Sequence, residues 1–216
     1  MNFGVVWDYR AVILQGFFVT LRLSALAVVC GTLFGLFVGF CMTSKWKPVK
    51  VICRVYVEIF RGSPLLMQLF LVFFGLPYMG IQISLFQATL LVFTLYGGAY
   101  IAEIIRSGIE SIPKGQWEAA SSMSLTYFDI MRFIILPQSF KVSLPPLVGF
   151  YIGLIKDTSI ASIIGYVELV KNARAAIGNT NRAFEIYIVV AMLYFIVCFP
   201  LSKLVDHMEK RKVAYD

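Results

Sequence analysis

A chain of 216 residues that is 59% hydrophobic and 14% charged, with a mean hydropathy of +0.81, is not a soluble domain, for which about 45–50% apolar and 25% charged is usual. It reads as a membrane protein with room for roughly four to six spans of about 20 residues each, and a soluble catalytic domain fits poorly. The net charge of +7 sits in clumps between apolar runs, as topology charge does. It is not gathered on one basic face, so no nucleic-acid partner is expected.

Ala25 and Ala27 resemble a cleavage site, but the apolar stretch continues to Met42, too long for a signal-peptide core. It is expected to stay attached as span one, residues 23–44, 22 residues without a charge. Gly31, Gly35 and Gly39 recur every four residues, a spacing that lets a second helix approach closely. A basic connector follows with Lys45, Lys47, Pro48, Lys50 and Arg54. Residues 62–102 then carry no charge over 41 positions, enough for two crossings. With Gly75, Pro77 and Gly80 marking the turn, spans two and three are placed at about 57–74 and 85–106.

From 106 to 141 the chain becomes polar, with Pro113 and Pro137 as breakers, and 116–136 suits a pair of short helices. Span four, 142–167, is expected to be opened by Pro145 and Pro146 and broken at Lys156-Asp157. Span five is placed at 183–204, before a tail with Lys203, Lys210, Arg211 and Lys212. The side holding the basic connector, the 106–141 excursion and the tail collects 12 Lys and Arg, leaving out Arg61, against Arg10, Lys171, Arg174 and Arg182 on the other. The first side is expected to be cytoplasmic, with the N-terminus outside and the C-terminus inside. The fold class is therefore an all-α polytopic helical bundle of about five transmembrane helices.

Several residue types carry little chemistry. Cys30, Cys41, Cys53 and Cys198 have no ligand-like spacing and are expected to be buried thiols. His207 is the single histidine, so no metal or proton relay is expected there. No cofactor is expected either. The excursion is different: a polar loop with an apolar face plus Trp117 and Phe128 must bury that face, either on a partner protein or on its own membrane domain.

Glu118-Ala119-Ala120, followed some 15 residues on by Ile134-x-Leu136-Pro137, resembles the EAA loop of the permease subunits of bacterial ABC importers. The polar amino-acid branch, of the histidine, glutamine and cystine permease kind, is matched more widely. Its stretches stand in family order as Arg61-Gly62-Ser63-Pro64-Leu65-Leu66 with Gln68, Ala99-Tyr100-Ile101-Ala102-Glu103, Ile112-Pro113-Lys114-Gly115-Gln116, Leu136-Pro137-Gln138, Leu144-Pro145-Pro146-Leu147 and Lys156-Asp157-Thr158-Ser159. They cover the chain from about residue 16 to the tail. The departure is Ser124, where the family usually has Gly; a turn with positive φ there would strain Ser without excluding it.

The resemblance implies a single permease domain over 1–216, with the loop at about 107–141 supplying coupling helices that sit in a cleft of a cytoplasmic ATPase. Its coupling residues would be Gly115, Trp117, Glu118, Ala119, Ala120, Ser124, Leu136 and Pro137. The chain has no G-x-x-x-x-G-K-[ST], so ATP would be hydrolysed by a separate subunit acting as a homodimer. The further partners implied are a second permease copy or close paralogue, an extracytoplasmic amino-acid-binding protein, the polar amino-acid substrate and the lipid of the bacterial cytoplasmic (inner) membrane.

Charges at membrane depth are costly unless paired or wetted. Glu58 with Arg61 and Glu103 with Arg106 are each three apart and can pair, either locking the bundle or lining a pathway. Lys156-Asp157-Thr158-Ser159, at the expected helix break, could hold the carboxylate and ammonium of an amino acid, or Lys156 and Asp157 could neutralise one another. Glu168 is expected outside, where it could face an incoming binding protein, although a solvated charge is the preferred reading. The competing readings are a stand-alone secondary transporter or channel, disfavoured by the lack of an internal repeat, and an intramembrane enzyme, for which no H-E-x-x-H or convergent Ser/His set exists.

Overall fold

The computed structural model describes residues 4–44 and 46–213, with side chains as far as residue 210. Lys45 and the side chains of Arg211 and Lys212, counted above as topology charge, lie outside the described residues. Every regular element described is helical: α1 (Gly4–Asp8), α2 (Arg10–Thr43), α3 (Lys47–Gly62), α4 (Leu65–Tyr78), α5 (Leu85–Glu110), α6 (Lys114–Ser122), the single turn α7 (Tyr127–Asp129), α8 (Leu136–Asp157), α9 (Leu169–Thr180) and α10 (Ala183–Val213). A π segment, Ile130–Ile135, joins α7 to α8, and a 3₁₀ segment, Thr158–Ser162, follows α8. Four stretches are long and apolar enough to cross a membrane, and a fifth exists if α3 and α4 make one broken span.

Span one starts well before residue 23, because Arg22 does not end the helix: its guanidinium sits 5.4 Å from the centre of the Phe86 ring. The glycine ladder does what its spacing predicts. A Cβ on Gly35 would fall 2.7 Å from Ile101 Cβ, and one on Gly39 would fall 3.1 Å from the Ala102 carbonyl oxygen, so α2 and α5 approach backbone to backbone. Ser84 starts α5 with a capping box, its hydroxyl accepting from Gln87 N–H at 3.2 Å while Gln87 Oε1 accepts from Ser84 N–H at 3.0 Å.

Span two, placed at about 57–74, is broken. α3 and α4 meet at 105° across Ser63-Pro64, because proline cannot donate to the preceding turn and disfavours helix at the residue before it. Gln68 holds the corner, its Nε2 donating to Phe60 O at 2.8 Å and Ser63 O at 3.1 Å.

Span four also differs from the expectation. α8 runs without interruption through Pro145 and Pro146, and the helix only tightens to 3₁₀ after Asp157. Pro137 falls in the first turn of α8, where its missing N–H is least costly, and the wide π turns precede it. The stretch after Ser162 is a turn with Gly165 at φ +96°, leading into α9. α9 was not foreseen; it packs Leu169, Ala173 and Ala176 against Ile13, Ile186 and Val190 and ends on Asn181 in the left-handed region.

Candidate coupling loop and membrane cavities

The loop between α5 and α8 is built from two opposed faces of α6. Gly115, Glu118, Ala119 and Ser122, spaced at three and four residues, lie on its exposed side, continued by Met123 at 73% and Phe128 at 67% exposure. The other side turns inward. Ala120 is buried among Ile109, Ile112, Ile130, Met131 and Ile135, and Trp117 packs against that cluster while stacking on Tyr127 with centroids 6.3 Å apart. Of the two alanines that the resemblance places among the coupling residues, therefore, only Ala119 faces out.

Ser124 turns the chain at φ +58°, the left-handed conformation that favours Gly. Thr126 then caps the next turn, accepting from Asp129 N–H at 3.3 Å. Leu136 packs half-buried on the Ala120 cluster, whereas Pro137 is exposed beside it.

The charged residues separate into two groups. Glu103 is the hub of the first: Arg106 donates to it from Nε at 2.8 Å and Nη2 at 2.7 Å, and Arg61 reaches the same carboxylate at 3.4 Å. Arg106 also binds Glu110. Arg61 sits 5.3 Å from the Tyr100 ring centre, and Tyr100 stacks on Phe150 at 5.1 Å. Arg61 and Glu103, with Ser107, Ser111, Ser143 and Pro146, line a cavity of about 430 Å³. Glu58 and Arg61 do not pair: among the described residues Glu58 is exposed with no ion pair, and Arg61 reaches across to Glu103 of α5 instead.

Lys156 and Ser159 belong to the second group, lining a cavity of about 440 Å³ with Val170, Ala191, Tyr194, Phe195 and Cys198. Lys156 and Asp157 form no ion pair with one another or with any other described residue; adjacent positions on a continuous helix point about 100° apart. Thr158 is fully buried, its hydroxyl donating back to Ile155 O at 2.6 Å, and lines neither cavity.

Glu168 is not the solvated charge the sequence suggests. It is fully buried, caps α9 by accepting from Lys171 N–H at 2.8 Å, and accepts from Thr20 Oγ1 at 3.3 Å. The missed signal was Leu169, Ala173 and Ala176, apolar residues at helical spacing directly after it. Cys198 is buried, while Cys30, Cys41 and Cys53 are only half-buried; all four are free thiols. Among the described residues no three His, Cys, Asp or Glu side chains converge as metal ligands, and His207 is exposed.

Comparisons agree with this architecture. Residues 31–213 match the family described as "binding-protein-dependent transport system inner membrane component". The probable amino-acid ABC transporter permease protein YckA of Bacillus subtilis is 39% identical over 94% of this chain and 90% of its own. The L-cystine transport system permease protein TcyB of the same organism is 39% identical over 97% and 92%. A solved chain from the crystal structure of an amino acid ABC transporter with histidines superposes with a TM-score of 0.91 at 38% identity, covering 98% of this chain and 99% of that one. This chain, a membrane-embedded transport component rather than a self-sufficient carrier, belongs to the family of binding-protein-dependent transport system inner membrane components.

Proposed function

We propose that the chain is the permease subunit of an ATP-driven importer of polar amino acids in the bacterial cytoplasmic membrane. The observation that carries this reading is the full-length likeness to an amino acid ABC transporter chain, together with an α6 that leaves Glu118 and Ala119 exposed. In this reading 1–216 is one permease domain, with the N-terminus outside and the C-terminus and loop 107–141 cytoplasmic. ATP is hydrolysed by a separate homodimeric ATPase that receives α6 in a cleft. An exposed carboxylate at Glu118 suits an Arg or a backbone N–H there, and Ala119 permits close approach.

A second copy or close paralogue completes the pathway, since one subunit offers a single loop to two ATPases. An extracytoplasmic amino-acid-binding protein delivers the cargo. Within the membrane, Lys156 and Ser159 supply a cation and a hydroxyl for the substrate carboxylate, and Glu103 stays neutralised by its two arginines. Glu118→Lys tests the coupling. Uptake into vesicles and co-purification of the ATPase should both be lost while membrane insertion is retained, and normal ATPase association in that variant would sink the assignment.

A further inference from the structure

The basic connector is the feature that transport coupling leaves unexplained. α3 has three distinct sides at a helical advance of about 100° per residue. Val57, Tyr56, Phe60 and Cys53 pack inward on Val38 and Met42 of α2 and on Ala99 and Ala102 of α5. Val51, Ile52, Val55 and Ile59, between 49% and 70% exposed, form a bare apolar stripe. Lys47, Lys50, Arg54, Glu58 and Arg61 occupy the third side.

The inward contacts put α3 beside Val38 and Met42, in the last turns of α2, and the 105° angle to α4 lays it across the direction in which α4 travels. Trp46, 68% exposed, stands at its start, the position of an aromatic side chain at a membrane–water boundary. A helix so placed has acyl chains against its apolar stripe and headgroups against its charged one. Among the described residues no carboxylate lies within ion-pair distance of Lys47, Lys50 or Arg54, and Glu58, one turn beyond, is itself unpaired.

We propose that α3 is an interfacial helix whose Lys47, Lys50 and Arg54 bind the headgroup phosphates of anionic phospholipid. Charge complementarity selects the occupant: three cations in a row above a lipid-facing apolar stripe match an anionic headgroup joined to acyl chains, and a soluble phosphate would leave the apolar stripe bare.

The full chain, reconstituted in phosphatidylcholine vesicles carrying a trace of spin-labelled phosphatidylglycerol or spin-labelled phosphatidylcholine, reads this directly as the motionally restricted lipid fraction. The expected result is an about fivefold preference for phosphatidylglycerol, falling toward parity at high salt and in the Lys47→Gln/Lys50→Gln/Arg54→Gln variant. Lys171→Gln/Arg174→Gln should keep the preference. The salt titration on the unaltered chain keeps the test valid if the triple variant does not fold. No preference in the unaltered chain, or preference retained in the folded triple variant, overturns the proposal. So does release of a second protein copy by the triple variant with lipid preference intact. None of these readouts depends on transport.

Discussion

Thr20 and Glu168, 148 residues apart in sequence, share a buried hydrogen bond of 3.3 Å, and the same hydroxyl accepts the N–H of Leu169 at 3.1 Å. This clasp pins the start of α9 to α2 where Gly16 lets the two backbones touch. Replacing Thr20 with Val keeps the shape but strands a buried N–H and removes a donor from a buried carboxylate. The expected cost is about 1–3 kcal/mol, seen as a lower midpoint in thermal unfolding of the purified protein, with Thr20→Ser restoring most of it. Equal midpoints for Thr20→Val and the unaltered chain would show that the clasp contributes nothing.

Gly35 and Gly75 are both helical glycines, yet opposite outcomes are expected. Gly35→Val places branched carbons where Ile101 already stands 2.7 Å from a bare Cβ, so α2 and α5 must separate and the yield of folded protein should collapse. Gly75→Ala meets nothing within 4 Å. It should stabilise by about 0.5–1 kcal/mol through helix propensity. Fluorescence-detected size exclusion of tagged variants ranks the two.

At Ser124, φ +58° makes the direction of a substitution clear. Ser124→Gly removes the left-handed penalty and should stabilise the loop by about 1 kcal/mol, while Ser124→Val should cost more than that. Limited proteolysis across residues 111–130 reports the change where it acts, and a Gly variant cleaved faster than the unaltered chain would contradict the strain argument.

The Glu103 hub predicts unequal losses. Arg61 is 39% exposed and holds Glu103 at 3.4 Å, so Arg61→Ala should cost under about 1 kcal/mol. Glu103→Ala removes the two-point contact from Arg106 as well, and should cost more. A double-mutant cycle between the two positions should return a coupling energy smaller than that between Glu103 and Arg106.

How much of this was legible depended on whether the signal was spacing or context. The glycine ladder and the Glu103–Arg106 pair follow from residues close in sequence, and the structure bears them out, while the turn at Ser124 was suggested only by the family's usual Gly there. The 105° corner did not stand out, because 41 uncharged residues read as two crossings and Pro64 was one breaker in a long apolar run. Arg22 and Glu168 misled for a shared reason. Each looks like a boundary or a surface charge until Phe86 and Thr20, distant in the chain, are seen to receive it. The prolines of α8 misled in the other direction, since the helix continues through two missing N–H groups with Pro145, Leu147 and Val148 buried.

α7, the π turns, α8 and the 3₁₀ turn form one stretch, Tyr127–Ser162, about 50 Å long if wholly α-helical. One end begins beside the exposed α6, and the other carries Lys156 and Ser159 into their cavity. If the loop docks on an ATPase as proposed, such an element would act as a pushrod, its two ends moving together unless it flexes between them. The weak point is Pro145-Pro146, where the carbonyls of Lys141 and Val142 lack their usual helical donors. Under the proposed function, how far a thrust at the loop would reach the cavity depends on the stiffness of that joint and of the π turns before it.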